Sequence, residues 1–210
     1  MQKTNKELDS RREAILISGI VEFSTKSYND ASTDEITHRC SISKGLLFHY
    51  FGSKRELYFC CLENALERLT SITPEVAAED FFSILFSTMD MKLRLCSEFQ
   101  NETRLVNMAA REMGKEVLEG KNRIFKKYLL QVKTRSAQTM SHAVSKLKLK
   151  QPAQARQITE ALYLYTEAFI NRTLELYREK PDEFFAKRDE IQAELKQYLG
   201  YMLEGIVKED

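Results

Sequence analysis

Tryptophan is absent from the 210 residues, and proline and glycine are scarce, with 3 and 7 copies. So few turn formers cannot punctuate a many-stranded β fold, and the chain is expected to be all-α. Cysteine is sparse too: Cys40, Cys60, Cys61 and Cys96 show neither C-x-x-C spacing nor a dense framework. That excludes a disulfide scaffold and predicts free thiols in a cytoplasmic chain. The histidines, His38, His49 and His142, are too scattered to make a metal cluster, so neither metal nor cofactor is expected. No apolar run approaches the ~20 residues that span a bilayer, and the opening MQKTNKELDSRREAI lacks the shape of a signal peptide. No membrane partner is expected. An excess of one charge is also missing, since 32 Lys+Arg face 31 Asp+Glu for a net charge of +1. As a total, that number discourages a nucleic-acid partner.

What is present is a globular composition, 43% hydrophobic and 30% charged, with 12 Phe, 9 Tyr and 7 Met to fill a core. Short elements come first. Residues 9 to 26 read as a helix with Ile15, Leu16, Gly19, Ile20 and Phe23 on one side. Ser32-Thr-Asp-Glu35 is a capping box: the serine hydroxyl accepts a free amide, and the glutamate is expected to reach back to the Ser32 amide. The helix it opens ends near Cys40. Ser43 caps a second short helix through Tyr50, and Ser53-Lys-Arg-Glu56 is another capping box, opening a helix to about Ser71. Longer amphipathic helices are predicted over 76 to 97, 99 to 112, 115 to 148, 152 to 179 and 182 to 207, about nine helices in total. Pro152 and Pro181 mark helix starts.

Two short helices joined by a tight turn and preceded by a longer one suggest a helix-turn-helix. The string STDEITHRCSISKGLLFHYFGSKREL and the order of Ile15-Leu16, Phe23, Tyr28, Ser32, Glu35-Ile36, Ser43-Lys44-Gly45, His49-Tyr50-Phe51 and Ser53-Lys54 resemble the N-terminal domain of the TetR family of transcriptional regulators. The resemblance runs over residues about 10 to 57, and the rest of the chain matches only in helical character and length. Local charge agrees with it. Between Glu35 and Glu56 there is no acidic residue, while Arg39, Lys44, Lys54 and Arg55 bring +4. Helix N-termini at Ser32, Ser43 and Ser53 offer amides suited to phosphate oxygens.

The resemblance implies a three-helix helix-turn-helix domain in residues 1–52 and a larger effector-binding and dimerisation domain in 53–210, with helix 53–71 connecting them. Double-stranded operator DNA would be the partner of a homodimer, released by an unidentified small effector that is apolar or amphipathic, anionic or lipophilic. Repression is the family's usual mode. Ser43 to Tyr50 is the implied recognition helix. Lys44 is the candidate for a base or adjacent phosphate contact, Gly45 for close backbone approach, Leu47 for a thymine methyl, and Phe48 for ring packing. His49, Tyr50 and Lys54 are implied phosphate anchors, with Ser32 and Thr33 on another phosphate. The family commonly has glycine where this chain has Ser27 and Ser41, at bends that favour left-handed backbone.

For the larger domain, Leu162, Phe169, Ile191, Leu195, Tyr198 and Met202 are the candidate dimer stripe. Phe86, Met89, Asn107, Met108, Phe125, Tyr128, Tyr163, Glu167 and Asn171 are the candidate effector pocket, with core packing an equally good account of the apolar members. From Gly120 to Thr159 there is no acidic residue against +10, a run read either as a solvated helix face or as a lure for an anionic effector. An alternative regulator would respond through thiol chemistry at Cys40 or Cys60-Cys61. No nucleophile–base pair, metal-ligand spacing or phosphate loop supports an enzyme.

Overall fold

Three serines set where the early helices begin. The computed structural model describes residues 2–71, 80–177 and 180–208. Its helices are α1 (Gln2–Thr25), α2 (Thr33–Arg39), α3 (Lys44–Phe51), α4 (Lys54–Ser71), α5 (Phe81–Glu98), α6 (Gln100–Arg111), α7 (Lys115–Val144), α8 (Ala155–Tyr177), α9 (Pro181–Ala186) and α10 (Arg188–Leu203). The Ser32 hydroxyl accepts the Asp34 and Glu35 amides at 3.2 and 3.4 Å, Ser43 accepts the Leu46 amide at 3.2 Å, and Ser53 accepts the Glu56 amide at 3.1 Å. Each bond satisfies one amide that a helix start leaves without a partner.

The chain is all-α, with ten helices among the described residues. The count exceeds nine because the predicted helix over 182–207 is two: Lys187 separates α9 from α10. The first residues of the predicted helix over 76–97 lie outside the described residues. α7 stops at Val144, short of 148, and α10 at Leu203, short of 207. In place of helix, the two ends pair: the Lys150 amide donates to the Ile206 carbonyl and the Lys208 amide to the Lys148 carbonyl, both at 2.8 Å. Gly205, at φ 77°, makes the turn this pairing needs, and Leu149 is buried by it.

The first compact unit comprises Met1–Ile72 and Phe99–Leu130. Its core joins Ile15, Ile20 and Phe23 of α1 to Ile36, Leu47, Leu57 and Leu62, with Leu105 from α6 and Val117 from α7. Phe23 meets Tyr58 edge-on, ring centroids 5.0 Å apart. α7 crosses α4 so closely that a methyl group at Gly120 would run into the Phe59 ring. The second unit comprises Thr73–Glu98 and Gln131–Asp210, with Ile84, Met89, Leu162, Phe184, Leu195 and Leu199 at its centre. Packing therefore groups α4, α6 and the start of α7 with the N-terminal helices, a different cut from the one expected at 52/53.

A buried carboxylate organises the first unit. Glu22 of α1 is only 2% exposed and accepts from Lys26 Nζ at 2.8 Å, the Ser32 amide at 3.0 Å and Arg39 Nη2 at 3.4 Å. The capping box at Ser32 is accordingly half realised: the amide that Glu35 was expected to accept is taken by Glu22. Burial alone would raise the Glu22 pKa. The Lys26, Ser32 and Arg39 hydrogen bonds outweigh it and hold the carboxyl below its ordinary 4.5. A lowered folded value means that the stabilisation is present above the unfolded carboxylate range and is lost as pH falls through the folded one. Glu22→Gln is therefore expected to cost about 1–3 kcal/mol in urea unfolding at neutral pH. Its deficit relative to the parent shrinks as the pH drops below about 4.

Candidate nucleic-acid interface

The turn between α2 and α3 is made by Cys40, Ser41 and Ile42. Ser41 sits at φ 53°, left-handed as its place in the family pattern implies, and the Ile42 amide donates to the Thr37 carbonyl at 3.0 Å. Ser27 differs from the expectation. Its φ is not positive, and its hydroxyl donates to Asp30 Oδ2 at 2.6 Å while accepting the Asp30 amide at 3.3 Å. A side-chain-closed turn there does not need glycine. At the far end of α3, Gly52 at φ 72° donates its amide to Phe48 and turns the chain into α4.

On α3, Lys44, Gly45 and His49 are exposed, and Ser43, the cap residue, is exposed beside them. A methyl group at Gly45 would meet only the Ser43 hydroxyl oxygen, at 3.9 Å. Nothing among the described residues requires glycine there. Leu47 is a correction. It is completely buried beneath α3 in the core and cannot reach a thymine methyl. An eight-residue amphipathic helix has to bury one face, and Leu47 and Phe51 are that face. Phe48 is half-buried against the same core, consistent with ring packing. Tyr50 is half-buried, and its hydroxyl oxygen has no hydrogen-bond partner among the described residues. Ser32 and Thr33, at the start of α2, are half-buried.

The four cations behind the local +4 are not equivalent. Arg39 donates to the Ser18 carbonyl at 3.0 Å besides meeting Glu22, so it serves the fold. Lys44 Nζ lies 2.9 Å from Asp34 Oδ1, both side chains exposed. Lys54 Nζ donates to the Asn29 carbonyl at 3.2 Å and sits 4.9 Å from the centre of the Tyr28 ring; burial lowers its pKa. Arg55 approaches Glu56 at 3.4 Å. The acid-free window is thus flanked by Asp34 and Glu56, two of the three carboxylates that pair with its cations; the third, Glu22, comes from α1. Asp34 is the residue near this surface that sequence reasoning passed over. Its place in the capping motif concealed that α2 and α3 cross with it opposite Lys44.

The other predicted sites fall as follows. Asn107, Met108, Phe125 and Tyr128 belong to the first unit and Phe86, Met89, Tyr163, Glu167 and Asn171 to the second. The Tyr128 hydroxyl donates to Glu67 at 2.8 Å, and the Glu67 bond, like burial, raises its pKa. In the second unit a cleft of about 720 Å³ opens between the end of α7 and the start of α8, with Lys133, Arg156 and Tyr163 among its lining residues. Tyr163 and Glu167 also line a small neighbouring void, and Lys92 meets Glu167 at 2.7 Å. Leu162, Phe169, Ile191 and Leu195, predicted for a dimer stripe, are buried in the protomer's own core; only Tyr198 and Met202 of that set reach the surface. A 4-3-4 stripe on two adjacent helices meets its neighbour first. The exposed apolar residues on α8 and α10 are instead Leu164, Leu176, Tyr198 and Tyr201.

The thiols are poorly placed for redox chemistry. Cys61 is wholly buried, and burial pushes it well above the usual thiol range; Cys60 and Cys40 are pushed up for the same reason. Raised values leave little of the reactive thiolate. No helix among the described residues is long and apolar enough to cross a membrane.

Residues 15–60 match the family described as bacterial regulatory proteins, tetR family. Over 63 residues the chain is 38% identical to the HTH-type transcriptional activator FasR of Mycolicibacterium smegmatis, a stretch covering 30% of this chain and 29% of that protein. It thus spans less than a third of that relative's length. Among solved structures, a transcriptional regulator from Rhodococcus sp. Rha1 superposes with a TM-score of 0.64 at 17% identity, covering 95% of this chain and 99% of the other. A TetR-family regulator from Streptomyces coelicolor gives 0.60 at 17% identity, covering 93% and 83%. NalD, the secondary repressor of the MexAB-OprM multidrug efflux pump in Pseudomonas aeruginosa, gives 0.52 at 18%, covering 98% and 100%. These likenesses establish the fold. With its capped α2–α3 pair, the N-terminal region is a helix-turn-helix of the DNA-binding class. Over residues 15–60 the chain is similar to the TetR family of bacterial regulatory proteins, and over nearly its whole length it shares the fold of solved members of that family.

The two serine bends give opposite expectations. Ser41→Gly relieves a left-handed residue and is expected to raise the unfolding free energy by up to about 1 kcal/mol. Ser27→Gly removes a turn-closing hydroxyl and is expected to lower it by about 0.5–1.5 kcal/mol. Urea midpoints with unchanged slopes check both signs.

Proposed function

We propose that this chain is a ligand-responsive repressor whose homodimer binds a palindromic operator and is released by a small amphipathic effector. Residues 1–52 read DNA, residues 53–210 bind effector and partner, and α4 connects the two. The observation that carries the reading is α3 itself: capped by Ser43, it presents Lys44, Gly45 and His49 outward on a helix whose opposite face is locked in the core. Ser32, Thr33 and Lys54 supply flanking phosphate contacts. A helix held that way can enter a major groove while the helix starts beside it bind phosphates.

A two-fold operator requires a two-fold protein, with half-sites ~34–36 Å apart or a related separation. The apolar side chains exposed on α8 and α10, Leu176, Tyr198 and Tyr201, suit the partner face, with Met202 at its edge. Effector and operator would oppose one another through a coupling of ~1–3 kcal/mol. Raised thiol pKa values favour this reading over a thiol switch.

Selecting bound fragments from a random DNA pool tests the proposal. An inverted repeat is expected, and a pool enriching no repeat would sink the reading. Lys54→Ala is expected to weaken all sequences alike, roughly threefold to tenfold, and to reduce the salt slope by about one. Lys44→Ala is expected to weaken binding and to relax the preference at one position of each half-site if Lys44 reads a base.

A further inference from the structure

The geometry points to the cleft between α7 and α8 as a binding site for an amphiphile with one anionic head and an apolar body. This rests on the ligand-responsive reading and names the ligand class. α7 reaches the cleft at Lys133, Ala137, Ser141 and Val144, a spacing of four, four and three that puts them on one helix face. The small side chains in the middle of that face leave the groove open. Val144, Leu147, Leu149, Pro152 and Ala155 make its apolar wall where the chain turns back, and Lys133 lies eleven residues from Val144, about 16 Å along the helix.

The charge is the second observation. Lys133 and Arg156 both line the cleft, and neither has a carboxylate within ion-pair distance among the described residues. Elsewhere in this unit Lys92, Arg172, Lys180 and Arg188 have acidic partners, while Arg94, Lys146, Lys150, Lys187 and Lys196, like the two cleft cations, have no ion pair among the described residues; what sets Lys133 and Arg156 apart is their place on the cleft lining. Arg156 also sits in the first turn of α8, whose positive dipole end adds to the attraction for an anion. Glu160 is the one acid on the cleft, so its lining remains net cationic. A volume of about 720 Å³ falls within the ~300–1,000 Å³ of small-molecule sites. Four of the ten cations in the run from Gly120 to Thr159 are thereby placed. Lys121 is buried and donates to the Ala109 and Ala110 carbonyls, and Arg123 pairs with Glu119, while Lys133 and Arg156 face the cleft.

The chain contains no tryptophan, so Leu164→Trp at the cleft's exposed edge supplies a lone fluorescent reporter. The full-length Leu164→Trp protein, without DNA, is titrated below micelle-forming concentrations with dodecanoate, dodecanol and dodecyltrimethylammonium. Dodecanoate is expected to bind at least tenfold more tightly than either other probe. Adding Lys133→Gln and Arg156→Gln is expected to remove that advantage while leaving dodecanol unchanged; both positions are exposed, and circular dichroism confirms folding. Equal binding of dodecanol and dodecanoate, or no effect of the double substitution, overturns the proposal. So does a change in sedimentation rather than in ligand affinity, which would assign the cleft to a contact between copies. Dodecanoate binding without operator release would leave the cleft standing and count against the repressor reading; an operator released by a different ligand, with dodecanoate unbound, would do the reverse.

Discussion

The DNA-reading unit depends on one buried carboxylate. Glu22 is 2% exposed, in a place where an unpaired charge would be very costly, and three donors converge on it. Two of them come from opposite ends of α2: the Ser32 amide before its first residue and the Arg39 guanidinium at its last. The carboxylate therefore fixes both the starting point and the direction of α2 on α1. The position of α3 follows, because Ser41 turns the chain within a residue or two and Leu47 then drops into the same core. An outward-facing helix can be read by an external surface only if its inward face has a single seat, and Glu22 and Leu47 together provide that seat.

Around this centre, most charge is committed inside the molecule. Arg39 holds the Ser18 carbonyl, and Tyr28 reaches Glu116 with its hydroxyl at 2.7 Å. What remains outward is small: Lys44 beside Asp34, Arg55 beside Glu56, the half-exposed Lys54, His49 and the helix starts. Exposed pairs such as Lys44–Asp34 contribute little to stability, so DNA phosphates can replace the partner at low cost. On the proposed reading, a chain with a net charge of +1 can in this way carry a DNA-contacting surface. In the second unit Lys92, Arg172, Lys180 and Arg188 are tied to acids, while Lys133 and Arg156 line the cleft.

Much of this was legible in advance. The serines at 32, 43 and 53 announced three helix starts because a side-chain cap is a local interaction between neighbours in sequence. The left-handed bend at Ser41 was legible only through the family resemblance, which implied the same at Ser27, where a side-chain-closed turn stands instead; the all-helical class was legible from the scarcity of turn formers. The ten-helix count was missed because the α9–α10 break and the short pairing of residues 148–150 with 206–208 depend on partners distant in the chain. Leu47 was misassigned as a base reader because exposure on an eight-residue helix depends on what lies beneath it. Leu162, Phe169, Ile191 and Leu195 were misassigned to a partner face, since an apolar stripe has the same spacing whether its neighbour belongs to the same chain or to another.

By itself, then, the sequence determined the helices, their caps, the turn and the family pattern, all set within a few residues by hydrogen bonding, periodicity and backbone preference. Only the tertiary structure decided which residues face outward. It took Leu47 inside, set Asp34 against Lys44, placed Glu22 at the centre of three donors, and left Lys133 and Arg156 unpaired at an open cleft. Those outcomes depend on the crossing of helices tens of residues apart, where burial and charge pairing are properties of the packed whole and not of any local run.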